Sequence, residues 1–204
     1  MRTHPVIIRQ SGQREADMKH WHNNISELKT CLDSLSVWDA AGQALEPDAA
    51  FSRLQEATLQ VCKADNILFF IGNGASASMA SHISADLAKN AHLHTRVFTD
   101  LSLITALAND LCYEEVFAEP LRKQMRKGDM LVAISSSGRS PNILRAAREA
   151  RERGGVVITM SAMQPDNPLR TMGSFNFYVP ADTYGLAETS HAAILHFWVD
   201  QMCP

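Results

Sequence analysis

Met130-Leu131-Val132-Ala133-Ile134-Ser135-Ser136-Ser137-Gly138-Arg139-Ser140-Pro141 reads as a buried strand that runs into a serine-rich turn and then into a helix. The apolar run Met130 to Ile134 has strand length and composition, and Pro141 after Ser140 has the form of an N-cap followed by the first helical position. At such a turn the first helical N–H groups have no internal partners, and the helix dipole places partial positive charge beside them. An anion docks there readily. The hydroxyls of Ser135, Ser136, Ser137 and Ser140 add neutral donors, and Gly138 allows the backbone to approach closely. The same residues also describe a plain serine cap ahead of an ordinary helix, so the turn alone leaves both readings open.

Outward from this stretch, Ile67 to Ile71, Val97 to Phe98, Val156 to Met160 and Phe175 to Val179 are short apolar runs separated by helical patterns. Strands that carry apolar residues at successive positions and alternate with helices predict a parallel sheet covered on both faces. The expected fold is therefore α/β, a three-layer α/β/α sandwich with a five-stranded parallel sheet. Ligands in such sheets sit beyond the carboxyl ends of the strands, where the loops at Gly72 and Ser135 both emerge.

Residues 1–65 show no strand signal and read as an N-terminal helical extension, with residues 66–204 forming the main domain. Met18, Trp21, Ile25, Leu28, Leu32 and Leu35 step by three and four along this extension. Such a stripe packs either on its own domain or on another subunit. Ala41 to Ala49 reads as a loop between two helices.

The chain has 204 residues, 46% hydrophobic and 20% charged, which suits one sizeable soluble domain. A formal net charge of −3 gives no basic surface for nucleic acid. Cys31, Cys62, Cys112 and Cys203 are widely spaced, form no Cys-x-x-Cys pair and fall in segments that read as buried, which argues against disulfides and a zinc knuckle. The start, Met1-Arg2-Thr3-His4-Pro5, lacks a signal-peptide pattern, and no apolar run has membrane-spanning length. The expected location is cytoplasmic.

A second glycine turn, Gly72-Asn73-Gly74-Ala75-Ser76-Ala77-Ser78, follows the first strand run. It misses the dinucleotide spacing G-x-G-x-x-G at Ala77 and lacks a P-loop lysine, so it offers Asn73 and Ser76 to a polar ligand rather than a nucleotide. On the helix that follows, His82 and Asp86 are four residues apart and share a face, a spacing that fits metal ligands and equally an ordinary hydrogen bond. Glu188, His191 and His196 fall in the helical run Leu186 to Met202. Burying several such groups requires partners or a metal. Glu188 and His196 differ by about 12 Å in rise on a regular helix, so both reach one ion only where Glu188 lies before the helix proper, long side chains converge across the gap, or neighbouring subunits contribute. His191 is an alternative ligand.

Gly72-Asn73-Gly74-Ala75-Ser76, Ala108-Asn109-Asp110 and Ile134-Ser135-Ser136-Ser137-Gly138-Arg139-Ser140 occur here in the order and spacing of a known pattern. From Ile67 to Met202 the chain resembles the sugar isomerase (SIS) domain family, in its phosphoheptose (sedoheptulose 7-phosphate) isomerase branch. The resemblance implies a flavodoxin-like sandwich that binds a sugar phosphate. It assigns phosphate to Ser135, Ser136, Ser137 and Ser140, and the sugar to Asn73 and Ser76. It places zinc on His82, Asp86, Glu188 and His196, with Asp86 as base and His196 as acid, and it implies a homotetramer with sites shared between subunits. The chain departs from the pattern with Asp86 in place of glutamate, Glu188 in place of glutamine, Gly185 in place of aspartate and Asn90 in place of arginine.

The expected activity is aldose–ketose interconversion of a sugar phosphate through an enediol. Asp86 or Glu188 would remove the proton beside the carbonyl, His196 would serve the oxygens, and zinc would polarise the carbonyl. The alternative is a non-catalytic phosphosugar-binding regulator or assembly factor with the same fold. No nucleic acid or membrane partner is expected.

Overall fold

A parallel strand covered on both faces must be apolar on both, and Leu68-Phe69-Phe70-Ile71 is buried at every position. In the computed structural model, which describes residues 20–203, the strands are β1 (Ser36–Asp39), β2 (Ala44–Leu45), β3 (Leu68–Gly72), β4 (Thr95–Val97), β5 (Met130–Ser135), β6 (Val156–Ala162) and β7 (Phe175–Val179). They form one sheet in the order β2-β1-β7-β6-β5-β3-β4. The five strands β7-β6-β5-β3-β4 are parallel and are those expected from the sequence, with β4 shifted from the expected 97–98 to Thr95–Val97.

The expectation of a five-stranded, all-parallel sheet and a strand-free N-terminal segment is corrected. Strand β1 adds antiparallel to the free edge of β7, and β2 returns against β1, making a mixed sheet of seven strands among the described residues. The stretch Ala41 to Leu45 is thus part of a hairpin. Asp39 Oδ1 accepts from the N–H groups of Ala41 and Gln43 at 2.9 and 3.0 Å, and Gly42 takes φ 75°, the left-handed conformation that the turn needs. These strands are too short to carry a periodic signal, and their pairing comes from the edge they meet.

The helices are α1 (Trp21–Asp33), α2 (Pro47–Lys63), α3 (Ala75–Asn90), α4 (Leu101–Asp110), α5 (Glu115–Gln124), α6 (Pro141–Glu152) and α7 (Tyr184–Met202). Successive strand residues point to opposite faces, and the core divides accordingly. Leu68, Phe70, Val132 and Met160 pack with Phe51 and Leu54 of α2, Ile83 and Leu87 of α3, and Leu195 and Trp198 of α7. Phe69, Ile71, Leu131 and Val157 pack with Val116 and Leu121 of α5 and Ile143 and Ala147 of α6 on the other side. Three layers result.

The N-terminal stripe is divided in role. Leu28 and Leu35 pack on the core, whereas Trp21 and Ile25 are exposed. Met18, and the start Met1 to Pro5, lie outside the described residues. All four cysteines are unbonded, but Cys62 and Cys112 are exposed, which corrects their expected burial: one is on the outer face of α2 and the other follows the end of α4. No helix among the described residues is long and apolar enough to cross a membrane.

Candidate functional site

Strands β3 and β5 lie side by side with Gly72 opposite Ile134, while β4 pairs with the other edge of β3. The chain therefore turns to opposite sides of the sheet after these two strands, which opens a crevice at their carboxyl ends. Both glycine-containing loops emerge there. A Cβ on Gly72 would stand 2.5 Å from the backbone of Ser76, so the first turn of α3 can sit directly over the strand end only with glycine at this position. Gly138 has φ 60°, and a Cβ there would fall 2.0 Å from Asn167 Oδ1. The serine turn is thus clamped from behind, with Ala162 N–H donating to the Ser136 carbonyl and Leu169 N–H to that of Gly138.

A cavity of about 160 Å³ occupies the crevice. It is lined by Ser135, Ser136, Ser137 and Ser140, by Asn73 and Ser76, and by Tyr184 and Glu188 of α7. The structure therefore gathers all six residues expected to bind the sugar phosphate around one space. Ser135 Oγ donates to Ser140 Oγ at 3.3 Å, and Ser137 Oγ accepts from Arg139 N–H at 3.3 Å. Ser136 Oγ is buried with no protein partner. A buried hydroxyl left unpaired is costly unless something else fills its hydrogen-bonding capacity. The donors here are neutral hydroxyls backed by the amino end of α6, which suits a phosphate without a compensating cation.

The second group of candidates converges where α3 packs on α7. Among the described residues, His82, Asp86 and His196 each offer a ligand atom, and these atoms all lie within 4.8 Å of one another. His82 Nε2 is 3.3 Å from Asp86 Oδ2, and the rings of His82 and His196 meet edge to face at 5.3 Å between centroids. Two imidazole nitrogens and a carboxylate oxygen are a donor set that fits zinc or a similar divalent ion. The His82 side chain is 59% exposed, so the group opens toward solvent.

Glu188 stands apart from this triad. Helix α7 is continuous from Tyr184 to Met202, so Glu188 and His196 are separated by the full rise of eight residues, about 12 Å. The four-ligand set of His82, Asp86, Glu188 and His196 is not assembled within a single chain, and Glu188 belongs instead to the wall of the serine cavity. His191, the alternative ligand, is also outside the triad. It is fully buried, and neither ring nitrogen meets a hydrogen-bond partner.

Burial pushes the His191 imidazole down to about 4, against a smaller upward pull from the neighbouring Ser161 backbone, which stands outside hydrogen-bonding geometry. An unfolded histidine titrates near 6.5, so as pH falls below that value the unfolded state takes up a proton that the folded state refuses. Stability present at pH 7 is lost across the window from about 6.5 to 4. At about 1.36 kcal/mol per pKa unit the loss from this one group amounts to about 3 kcal/mol. Urea midpoints of the wild type and of His191→Met, measured from pH 7 to 4, check this: the wild-type curve falls more steeply by that amount, and parallel curves would contradict it.

One cavity-lining residue, Tyr184, and two residues that bond the lining residue Asn73 escaped the sequence reading. Tyr184 lies one turn before Glu188 on α7, a spacing visible in the sequence. Asn142 is the second residue of α6 and exchanges hydrogen bonds with Asn73, and Tyr113 O–H reaches the same side chain from beyond α4. Nothing in the local sequence points to the last two, because their partner is a distant segment.

Residues 43–162 match the SIS domain family. A phosphoheptose isomerase of Halorhodospira halophila is 31% identical over 187 residues, covering 88% of this chain and 92% of that protein. The structure of phosphoheptose isomerase from Neisseria gonorrhoeae superposes with a TM-score of 0.77 at 27% identity, over 93% of this chain and 98% of the other. That of Francisella tularensis gives 0.76 at 22% identity, over 94% and 98%, and bears on the fold alone. With its switch-point crevice, its serine turn and near full-length relatives, the chain belongs to the SIS domain family, in the branch of the phosphoheptose isomerases.

Proposed function

We propose that this protein is a phosphosugar isomerase that interconverts an aldose and a ketose, with sedoheptulose 7-phosphate as the best candidate substrate. The observation that carries the proposal is the single cavity shared by the serine turn and the carboxylate of Glu188. Relatives named phosphoheptose isomerase support the reaction class, while the carboxylate at Glu188, where their pattern has glutamine, is this chain's own.

In this reading Ser135, Ser136, Ser137 and Ser140 hold the phosphate, and that remote grip orients the reacting carbons. Glu188 removes the proton beside the carbonyl; the C–H electron pair enters the new C=C bond, and the carbonyl π pair moves onto oxygen. Glu188 then returns the proton to the neighbouring carbon. His196 moves the proton between the two oxygens, a task suited to an imidazole. His82, Asp86 and His196 would hold a zinc ion, which when bound supplies charge stabilisation to the substrate oxygens.

The triad and the cavity occupy different levels of α7, and α7 also presents Tyr184 and Phe197 as exposed apolar side chains. An assembly that sets the triad of one protomer against the cavity of the next reunites His82, Asp86 and His196 with Glu188. We infer a cytoplasmic homotetramer in which residues 66–204 carry the sugar-phosphate site and residues 1–65 contribute helix α1 to subunit contacts.

The test combines metal analysis of the purified protein with an isomerisation assay on sedoheptulose 7-phosphate, before and after chelation. About one zinc per chain and turnover that falls on chelation and returns with zinc are expected. A thermal shift with the sugar phosphate but no turnover with or without zinc would overturn the enzyme reading in favour of a phosphosugar binder.

A further inference from the structure

The side chains of Asn73 and Asn142 form a closed amide pair. Asn73 Nδ2 donates to Asn142 Oδ1 at 3.0 Å, and Asn142 Nδ2 donates to Asn73 Oδ1 at 2.9 Å. Their orientation is fixed by a third contact, because the Ile143 N–H donates to Asn142 Oδ1 at 3.0 Å and only an oxygen can accept there. Asn142 is 1% exposed, so its amide has no competing water. Tyr113 O–H adds a second donor to Asn73 Oδ1 at 3.3 Å.

The count of lone pairs and protons then settles what Asn73 can offer. Its oxygen has two lone pairs, and Asn142 and Tyr113 engage both. Its nitrogen has two protons, and Asn142 takes one. What remains is a single N–H on a residue that lines the cavity. Asn73 is therefore a donor and not an acceptor toward anything lying there. Asn73 follows β3 and its amide lies against Asn142, the second residue of α6, so its remaining N–H is offered beside the serine turn, whose own hydroxyls already supply donors for a phosphate. A carbonyl oxygen can only accept, and it gains negative charge when the proton beside it is removed.

We infer that Asn142 and Tyr113 are positioning residues that hold Asn73 as a hydrogen-bond donor to the carbonyl oxygen of the bound sugar phosphate, where it stabilises the enediolate. The inference rests on the isomerase reading and adds to it the group that faces the developing oxyanion. A fixed donor in a site sheltered from water acts more strongly in the transition state than in the ground state, because the oxygen becomes charged only there.

Asn142→Leu keeps the size of the side chain, places no charge beside the phosphate and removes both hydrogen bonds to Asn73. Without those bonds the Asn73 amide is no longer held in its donor orientation. With sedoheptulose 7-phosphate, kcat is expected to fall about 100-fold, the scale of losing one oxyanion donor, while KM is held. The affinity for a sugar-phosphate hydroxamate, planar and anionic like the enediolate, falls in parallel, and inorganic phosphate binding does not change. Asn73→Ala combined with Asn142→Leu loses no more than Asn73→Ala alone, because both act through one N–H. Tyr113→Phe, at an exposed position that tolerates the change, serves if Asn142→Leu fails to fold. It frees one lone pair of Asn73 and lowers kcat several-fold with KM held.

A rise in KM with kcat unchanged, or additive losses in the double variant, would overturn the inference alone. A wild-type protein that binds the sugar phosphate and never converts it overturns the isomerase reading, before any variant is compared, and the inference with it.

Discussion

Glu188→Gln is expected to lower kcat by about 10³-fold while sugar-phosphate binding persists, since a positioned general base contributes about 10² to 10⁴. Gln keeps the length and hydrogen-bonding reach of Glu188 in the cavity wall and removes only its ability to take a proton. The assignment follows from where the structure leaves the two carboxylates. Asp86 sits against His82 at 3.3 Å within the triad, whereas Glu188 shares the cavity with the serine turn. A rate-against-substrate curve together with a thermal shift separates the two functions: binding retained and turnover lost supports the base, and a fully active Glu188→Gln protein transfers that role to Asp86.

The same variant tests whether the site is shared. His196→Ala damages the triad and spares the cavity, so each variant alone is inactive for a different reason. If the triad of one protomer serves the cavity of the next, mixed tetramers of the two variants regain activity. Random assembly gives an intact cavity facing an intact triad in about a quarter of sites, so about a quarter of the wild-type rate returns after unfolding and refolding the mixture. No recovery on mixing would place each complete site within one chain.

The five parallel strands were legible because a doubly covered sheet demands continuous apolar runs, and Met130 to Ile134 or Val156 to Met160 satisfy that demand locally. Strand β1 was not, because Ser36-Val37-Trp38-Asp39 offers one core residue, Val37, and owes its conformation to the exposed edge of β7. The serine turn and the Gly72 turn were legible for a related reason: each is a local backbone geometry with its own residue requirements. The grouping of His82 and Asp86 with His196 was suggested only by the resemblance, since 110 residues or more of chain separate α3 from α7 contacts. Glu188 shows the limit of transferring positions singly. Its spacing from His196 predicted that a straight helix would part them, and the regular helix α7 does so. Asn142 and Tyr113 were invisible because a hydrogen bond between side chains from distant segments leaves no periodicity behind.

Ser137→Asp is expected to abolish binding of any phosphorylated sugar while leaving the fold intact. The argument is electrostatic. The cradle as it stands contains only neutral hydroxyls and backbone amides on its serine side, so a phosphate meets no fixed negative charge there. A carboxylate placed at Ser137 would lie within a few ångströms of the phosphate oxygens. At 4 Å and an effective dielectric constant of 20, each pair of unit charges repels by about 4 kcal/mol, and a sugar phosphate carries between one and two charges at neutral pH. Kd therefore rises by at least about 10³-fold. Ser137 itself is half-buried at the tip of the turn, and its Oγ accepts only from the Arg139 N–H, a bond that a carboxylate also accepts. The unliganded melting temperature should accordingly stay close to wild type. Ser137→Ala removes one donor without adding charge and weakens binding about tenfold, the scale of one hydrogen bond to a charged group. Isothermal titration with sedoheptulose 7-phosphate checks the series. A Ser137→Asp protein that still binds the sugar phosphate at wild-type affinity would move the anion out of the serine turn, and with it the reason for assigning Glu188 to the reacting carbons.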